Sequence, residues 1–399
     1  MARKRTQQTK HQEQRLSAQD IYDLTLETLT TYFELNRAGC QHDDQAIWDV
    51  LIAASAERES VEAMCGVLEE SPSPNTVRTA IKGLWPADQD LDELESTLNE
   101  MLVQHLPQKL LTRWLRCGMD VVLIPYHGCH DDDDEAVRRG RAKSGTTHFH
   151  AYATFYTIKN HKRYTLALTF VRKSDKALDI LQRLHHRAKH LGVRVKRLLL
   201  DREFDNNGVI GYLKQQPFPS IIPLIIRGKD GGTRALVQGR RKSYVTTYTR
   251  KSTVYDTETF TVHVACKYSK GRYKRQGIHR FAYIVIGELK MQPLQVYEEY
   301  RGRFGIESSY RLMNQVRART TAKSPVLRFF YVGVAFLMLN LWSFVKWTYL
   351  YVVQRGPRQV LHELLPLTRW RLWLWEVVKQ RLGFEMEIVI PASPVIAVY

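Results

Sequence analysis

The stretch from residue 119 to residue 226 constrains the fold most, because strand and helix patterns follow one another there in a definite order. Runs rich in apolar, β-branched and aromatic residues are typical of strands, and apolar residues at intervals of three and four are typical of helices. The pattern predicts three strands, then a helix, a strand, a short helix and a fifth strand. In chain order these segments are Met119–Tyr126, Thr147–Ile158, Arg163–Val171, Lys176–Leu191, Val195–Leu200, Gly208–Lys214 and Ser220–Ile226.

That order is found in the ribonuclease H-like core, an α/β fold in which antiparallel and parallel strands share one sheet. We therefore predict a ribonuclease H-like, mixed-sheet core over residues 115–228 and 295–354. Between its two parts, residues 229–294 are β-rich and basic, which predicts an insertion. The rest of the chain is predicted as a basic arm (1–16), a helical N-terminal domain (17–114) and a C-terminal tail (355–399).

The formal charge of +18 is distributed unevenly along the 399 residues. Residues 1–16 carry +4, residues 17–100 carry −14 from four basic and 18 acidic side chains, and the remaining 299 residues carry +28. A basic excess points to a polyanionic partner such as nucleic acid. We therefore expect the main nucleic-acid-binding surface to lie after residue 100.

A possible helix-turn-helix lies within the acidic region. The segment Glu70–Lys82 places a Ser/Pro turn before a helix that should begin near Asn75. In a helix-turn-helix, Arg78 and Lys82 would face DNA. A small helical bundle for DNA-end binding or dimerisation fits the same pattern, and the charge of −14 favours it.

Composition also bears on compartment and membrane association. Five scattered cysteines without a C-x2-C pair, together with a polar N-terminus, are typical of a cytoplasmic protein. Phe329–Val345 is mostly apolar and approaches the length of a membrane span, about 17–25 residues. Arg328 and Lys346 flank this run and polar residues interrupt it, so we expect a buried core helix and no membrane partner.

Three carboxylates stand out by their positions. Asp120 lies in the first predicted strand, Asp201 ends the fourth, and Glu307 lies on a helix after the insertion. Parallel pairing of the first and fourth strands would bring the two aspartates together. Three carboxylates without a cation between them would repel one another, which favours a divalent ion. Such a cluster suits two Mg²⁺ or Mn²⁺ ions about 3.5–4 Å apart, clamping the attacking and leaving oxygens of a phosphodiester.

Each carboxylate also has a structural explanation. A lone charge buried in an apolar strand is costly, so a functional role is the stronger reading for Asp120. Asp201 could be the N-cap of the helix that follows it. Glu307 carries little weight alone, since exposed helix glutamates are common.

The neighbours of Glu307 strengthen its case. Tyr300, Arg303, Glu307 and Asn314 are spaced so that one continuous helix would align them on one face. Tyr300-x2-Arg303-x3-Glu307 resembles the Y-x2-R-x3-E-x6-K signature of DDE transposases from bacterial and archaeal insertion sequences. Three further segments resemble that superfamily, the last of them its archaeal-type branch. These are Met119–Gly128, Leu200–Phe204 and Lys143–Tyr152, and the resemblance covers about residues 115–345.

The resemblance implies Mg²⁺-dependent DNA cleavage at transposon ends and joining of the freed 3′-OH to target DNA. It maps Asp120, Asp201 and Glu307 onto the metal ligands, and Tyr300 and Arg303 onto contacts with the DNA end. The family's lysine falls at an uncharged residue here, and two arginines one turn further on are possible substitutes. These three positions are Asn314, Arg317 and Arg319. A homodimer on paired inverted repeats is expected, since two ends must be joined together.

Basic residues of the insertion extend the predicted DNA surface, with tyrosines available to stack on unpaired bases. They are Arg240, Arg241, Lys242, Lys270, Arg272 and Lys274. Two other functions remain open on the same core. One is a metal-dependent nuclease that cuts DNA without joining it, and the other is a catalytically silent, transposase-derived DNA-binding protein.

Overall fold

The computed structural model describes residues 15–35, 43–85, 91–129, 134–159, 162–270, 276–303, 307–352 and 359–386, with the backbone alone at 108, 109, 159, 162, 269, 270, 276 and 307–309. The helices are α1 (Ala18–Tyr32), α2 (Asp44–Glu57), α3 (Val61–Cys65), α4 (Pro74–Gly83), α5 (Leu91–Val103), α6 (Gln108–Leu111), α7 (Ala177–His190), α8 (Asn207–Lys214), α9 (Pro293–Arg301), α10 (Glu307–Met313), α11 (Pro325–Thr348) and α12 (Leu367–Leu382). The strands are β1 (Trp114–Pro125), β2 (Arg138–Lys143), β3 (Thr146–Lys159), β4 (Lys162–Val171), β5 (Arg194–Leu199), β6 (Ser220–Pro223), β7 (Tyr244–Arg250), β8 (Glu258–Lys270), β9 (Gln276–Ile286), β10 (Tyr351–Val352) and β11 (Gln359–Val360).

Short polar side chains set the starts of several helices. Ser17 and Asp20 form a capping box at α1, in which each side chain bonds the other residue's backbone N–H. The helix of the possible helix-turn-helix, α4, begins at Pro74 directly after the Ser73 cap, one residue before the expected Asn75. Other helices start at side-chain caps from Asp43, Ser60 and Ser324.

The main sheet mixes antiparallel and parallel strands, as the sequence predicted. Its order is β2-β3-β1-β5-β6-β9-β8-β7, with β4 pairing the rest of β3 on the side of β2. Strand β3 runs antiparallel to both β1 and β4, whereas β1, β5 and β6 run parallel. The interior strand β1 therefore has an antiparallel neighbour on one side and a parallel neighbour on the other.

The β-rich insertion continues this sheet. Strand β9 pairs antiparallel with β6, and β8 and β7 follow outward. The buried carboxylate of Asp205, just after β5, joins the insertion to the core: it binds the Arg250 guanidinium of β7 and accepts a hydrogen bond from the backbone N–H of Ile225 (2.6 Å). The insertion is thus an extension of one sheet.

Two asparagines cover the open edge of β4. The Asn99 amide of α5 accepts from the N–H of Leu168 (2.7 Å) and donates to its carbonyl (2.8 Å). The Asn340 amide of α11 does the same for Thr165 (3.0 and 2.9 Å) and also donates to the carbonyl of Leu102 (2.9 Å). Each amide therefore takes the place of a neighbouring strand, which docks two helices on an otherwise unpaired edge.

Helix α11 has the length and composition of a membrane span, the only such helix in the described part of the chain. However, 83% of its most apolar 18-residue window is buried inside the protein. It packs in one core with α2, α5, α12 and a face of β3 and β4. This arrangement agrees with the expected buried core helix.

The segment expected to be a C-terminal tail contains the packed helix α12. Its side chains Trp370, Leu374 and Val378 are buried in the core that contains α1 and α2. Arg381 at its end forms an ion pair with the fully buried carboxylate of Asp49 (3.0 Å). Part of the predicted tail therefore completes the N-terminal helical domain.

We predict that Asn340→Ala will lower the free energy of unfolding by about 2–4 kcal/mol, because it leaves the buried N–H and C=O of Thr165 unpaired. Urea denaturation checks this value, with Ser343→Ala on the same helix as control. A loss below about 0.5 kcal/mol would show that the amide does not stabilise the edge strand.

Candidate active site

The parallel pairing of β1 and β5 brings the two predicted aspartates to one end of the sheet. Gly118 is opposite Leu199 in the register, and Asp120 and Asp201 each follow two residues later. The predicted pairing of the first and fourth core strands is therefore confirmed. Asp120 is still within β1, whereas Asp201 lies just beyond the end of β5.

A single guanidinium joins the two carboxylates. Arg303 Nη2 lies 3.2 Å from Asp120 Oδ1, and Nη1 lies 3.3 Å from Asp201 Oδ1. Nη1 also donates to the Tyr300 hydroxyl (2.8 Å), which in turn donates to the carbonyl of Leu200 (3.2 Å). The Arg303 side chain is only 7% exposed, so its guanidinium is buried and the two carboxylates compensate its charge.

These contacts give Tyr300 and Arg303 a structural place within the site. Both residues are buried: Arg303 bonds to the two carboxylates, and the Tyr300 hydroxyl bonds to the carbonyl of Leu200 just after β5. The contacts with the DNA end expected of them stay predictions. The continuous helix expected to align the motif is also described as two helices, α9 and α10, with Arg303 in a turn after α9. Gly302 is the C-cap of α9, and a glycine disfavours continuation of the helix.

Asp120 is a buried carboxylate with a raised pKa. Burial raises its pKa to about 6, the positive charge of Arg303 opposes that rise, and the negative charge of Asp201 adds to it. Asp120 Oδ1 also accepts the backbone N–H of Val121 (2.9 Å). The ionised form thus needs a neighbouring cation, which Arg303 supplies.

Asp201 is the more accessible of the two, with 37% of its side chain exposed. It caps a 3-10 turn at Arg202–Phe204 by accepting the N–H of Arg202 (2.7 Å). The N-cap reading of Asp201 is therefore correct, and it coexists with the position beside Asp120. Glu203 in the same turn has a raised pKa, caused by desolvation and then by the charges of Asp201 and Asp120.

A second arginine near Asp120 was not identified from the sequence. The Arg163 guanidinium lies 3.7 Å from the centre of the Tyr156 ring and donates to Thr154 Oγ1 (3.3 Å). Burial lowers its pKa, while nearby tyrosines and Asp120 raise it. Gly118 permits this arrangement, because a Cβ there would lie 2.4 Å from the Tyr156 hydroxyl. The signal in the sequence was Gly118 within a strand, since a glycine there often marks a close approach of another group to the backbone.

Helix α10 is fixed against the site by Tyr310. Its hydroxyl donates to the backbone carbonyl of Asp120 (3.0 Å) and lies 2.7 Å from Thr154 Oγ1. Glu307 begins this helix one turn earlier, but its side chain lies outside the described residues. In the described part of the chain no group of three or more His, Cys, Asp or Glu side chains could hold a metal ion. The third ligand stays a prediction.

The expected lysine substitutes have other described partners. Asn314 is exposed and accepts from Arg317 Nε (3.4 Å), and burial lowers the pKa of Arg317. Arg319 forms an ion pair with Glu59 of the helical domain (3.4 Å). Arg78 likewise pairs with Glu62, whereas Lys82 is exposed. Their predicted DNA contacts stay predictions.

The basic loop of the insertion is exposed and held by its backbone. Arg280 Nε donates to the carbonyl of Arg240, and the Tyr268 hydroxyl donates to the carbonyl of Arg241. Arg240, Arg241 and Lys242 are exposed and form no ion pair with any described carboxylate. The Lys270 side chain, Arg272 and Lys274 lie outside the described residues.

No family model and no curated protein matches this sequence. Among solved structures, the fold is similar to that of the piggyBac transposase in a cryo-EM synaptic complex with hairpin DNA. The TM-score is 0.56 at 9% sequence identity, over 95% of this chain and 83% of that chain. The likeness therefore extends over nearly the whole chain and concerns the fold.

We predict that Asp120→Asn will stabilise the metal-free protein at pH 7.5 by about 2–3 kcal/mol. A folded-state pKa of about 6 lies above the usual value of about 3.9, so stability is lost as pH rises between them and stays lost above. The neutral amide removes this cost. Urea denaturation in EDTA measures the gain, which should disappear below about pH 4. A gain independent of pH would refute the assignment.

Proposed function

We propose that the chain is a DDE transposase of the kind found in prokaryotic insertion sequences, cleaving DNA at the element's ends and joining the freed 3′-OH to target DNA. The observation that carries the proposal is the carboxylate pair Asp120, within β1, and Asp201, just beyond the end of the parallel strand β5. The similarity to a transposase fold over most of the chain supports it. Further support comes from the spacing of Tyr300, Arg303 and Glu307 in the sequence.

The topology supports a ribonuclease H-like core. Leaving out the short β2, the order β4-β3-β1-β5-β6 contains three antiparallel strands followed by two parallel ones. Helix α7 connects β4 to β5 and α8 connects β5 to β6, which is the predicted succession of elements. In this proposal β7, β8 and β9 are an insertion that widens the core sheet.

The donor set fits a hard divalent cation such as Mg²⁺ or Mn²⁺. Asp120 and Asp201 offer carboxylate oxygens, the ligands that such ions prefer, and these oxygens are close enough for one guanidinium to contact both residues. We propose Glu307 as the third ligand and two ions in the complete site. When bound, the ions would stabilise negative charge on the attacking and leaving oxygens of a phosphodiester.

The protein's own groups would position that chemistry. Tyr310 bonds the backbone of Asp120, and Tyr300 bonds the carbonyl that precedes Asp201, so the backbone at both carboxylates is held in place by hydrogen bonds. Arg303 keeps the two aspartates at a common cation and limits their repulsion. The exposed basic loop at Arg240–Lys242 would bind DNA phosphates.

The partners in this proposal are inverted repeats at the transposon ends and a target duplex. We propose a homodimer in the cytoplasm, because two ends must be held together for joining. A catalytically silent DNA-binding protein is the second candidate. The observation that favours it is Arg303, whose single positive charge contacts both aspartates and offsets part of their repulsion without a metal.

We predict that Asp201→Asn and Glu307→Gln will each lower cleavage and joining by at least about a hundredfold, since ligands to a catalytic metal contribute several kcal/mol. The measurement is a strand-transfer assay with labelled end DNA, in Mg²⁺ or in EDTA. Glu376→Gln on α12, remote from the site in sequence and fully active by expectation, serves as the control.

Each outcome distinguishes the candidates. Joined products that persist in either variant would refute the carboxylate assignment. Cleavage without joining by the unaltered protein would identify a nuclease. Specific binding of end DNA with no chemistry in Mg²⁺ or Mn²⁺ would identify the silent binding protein.

A further inference from the structure

An exposed tryptophan lies among basic side chains where strands β1 and β5 begin. Trp114 is a large apolar side chain, yet it is 64% exposed. Arg113, Arg194 and Lys196 beside it are also exposed. We infer that this surface, the Trp114 patch, binds unpaired nucleic acid by stacking a base on the indole and pairing phosphates with the basic side chains.

The sheet register builds the patch in two rows. Trp114 pairs with Arg194 at the starts of the two strands, and these residues form the outer row. Arg116, two residues further along β1, pairs with Arg197, and these two form the inner row. Side chains two apart on a strand share a face, so Trp114 and Arg116 point the same way. The register shifts between Leu115 and Arg116, so Lys196 of β5 falls between the two rows, close to the start of that strand.

One carboxylate holds the inner row in place. Glu299 of α9 contacts Arg197 Nη1 (2.7 Å) and Arg116 Nη1 (3.2 Å), and its side chain is only 10% exposed. The Arg194 guanidinium is oriented by donating to the carbonyl of Thr112. The inner row is therefore anchored, while the outer row faces solvent.

The charge balance of the patch identifies its partner as a polyanion. Arg113, Arg194 and Lys196 form no ion pair with any carboxylate in the described chain, and Glu299 already serves two arginines. A protein partner would need an acidic surface and a pocket for the indole. A nucleic acid offers phosphates and flat bases in every repeat, and base–aromatic stacking accepts any base.

The patch is separate from the carboxylate site. Trp114 lies six residues before Asp120 on β1, which corresponds to roughly 20 Å along an extended strand. One nucleic acid strand several nucleotides long could reach both places. The inference rests on the charge and exposure of the patch, and it adds a second binding surface to the proposed transposase.

The test is fluorescence anisotropy of a labelled 12-nucleotide single strand in EDTA, so that no chemistry occurs. Trp114→Ala should raise Kd roughly tenfold, and Trp114→Phe should raise it less than about threefold, because a phenyl ring still stacks. Leu372→Ala, another exposed apolar side chain, should leave Kd unchanged. A matching duplex should show a smaller effect of Trp114→Ala, since its bases are already stacked.

The basic row is tested by salt dependence. Arg194→Ala with Lys196→Ala should lower the slope of log Kd against log salt by about 1.4 on single strands. Arg369→Ala is the matched control, because Arg369 is also exposed and also donates to a nearby carbonyl. Lys196→Glu provides a second variant in which charge is reversed without touching the tryptophan.

Unchanged single-strand affinity in Trp114→Ala would overturn the inference, even if the unaltered protein cleaves and joins DNA. Equally tight, Trp114-dependent binding of a poly-glutamate peptide would also overturn it, because a protein partner would then fit as well. Trp114-dependent binding in a protein that performs no chemistry would keep the patch and reject the transposase.

Discussion

Two carboxylates on neighbouring parallel strands β1 and β5 need a shared cation, and the site is organised around this requirement. The parallel register of β1 and β5 brings Asp120 and Asp201 together whatever their charge states. Arg303 then offsets part of the repulsion and part of the desolvation cost, and the pKa of Asp120 still rises to about 6. A carboxylate that is costly to ionise without a cation is one whose site favours binding of a cation.

The same requirement explains the polar layer around β1. Tyr310, Thr154 and Arg163 bond to Asp120 or to one another on the face where α10 packs, so polar groups replace the apolar contacts of an ordinary core there. Such a layer is stable only when its members are paired. The layer restricts α10 to one position on the sheet, and Glu307 is the first residue of this helix.

The sequence supported the sheet better than it supported the helical domain. Strand order and parallel pairing follow from alternation and element succession, so Asp120 and Asp201 could be placed together. Helix α12 was missed because its stability comes from contacts with residues that are distant in sequence. Trp370 is buried in the core that contains α1 and α2, and Arg381 forms an ion pair with Asp49 of α2. The asparagine bridges at β4 were invisible for the same reason.

The roles of Arg303 and Arg163 could not be predicted for a different reason. The spacing of Tyr300, Arg303 and Glu307 suggested one continuous helix, and the family resemblance implied a contact of Arg303 with the DNA end. The turn after α9 instead directs Arg303 toward the sheet, where two aspartates are already close. Local spacing gives the face of a helix only while that helix continues.

Strand β1 connects the two chemically distinct ends of the sheet. Its start carries an exposed tryptophan among basic side chains that form no ion pair with a described carboxylate, and its later part carries a buried aspartate that is paired with Arg303. Exposed cations that form no ion pair can bind a polyanion, whereas the buried Arg303 already forms ion pairs with the protein's own carboxylates. In the proposed function, phosphate binding would therefore fall to the exposed basic residues, while the buried Arg303 maintains the geometry of the site.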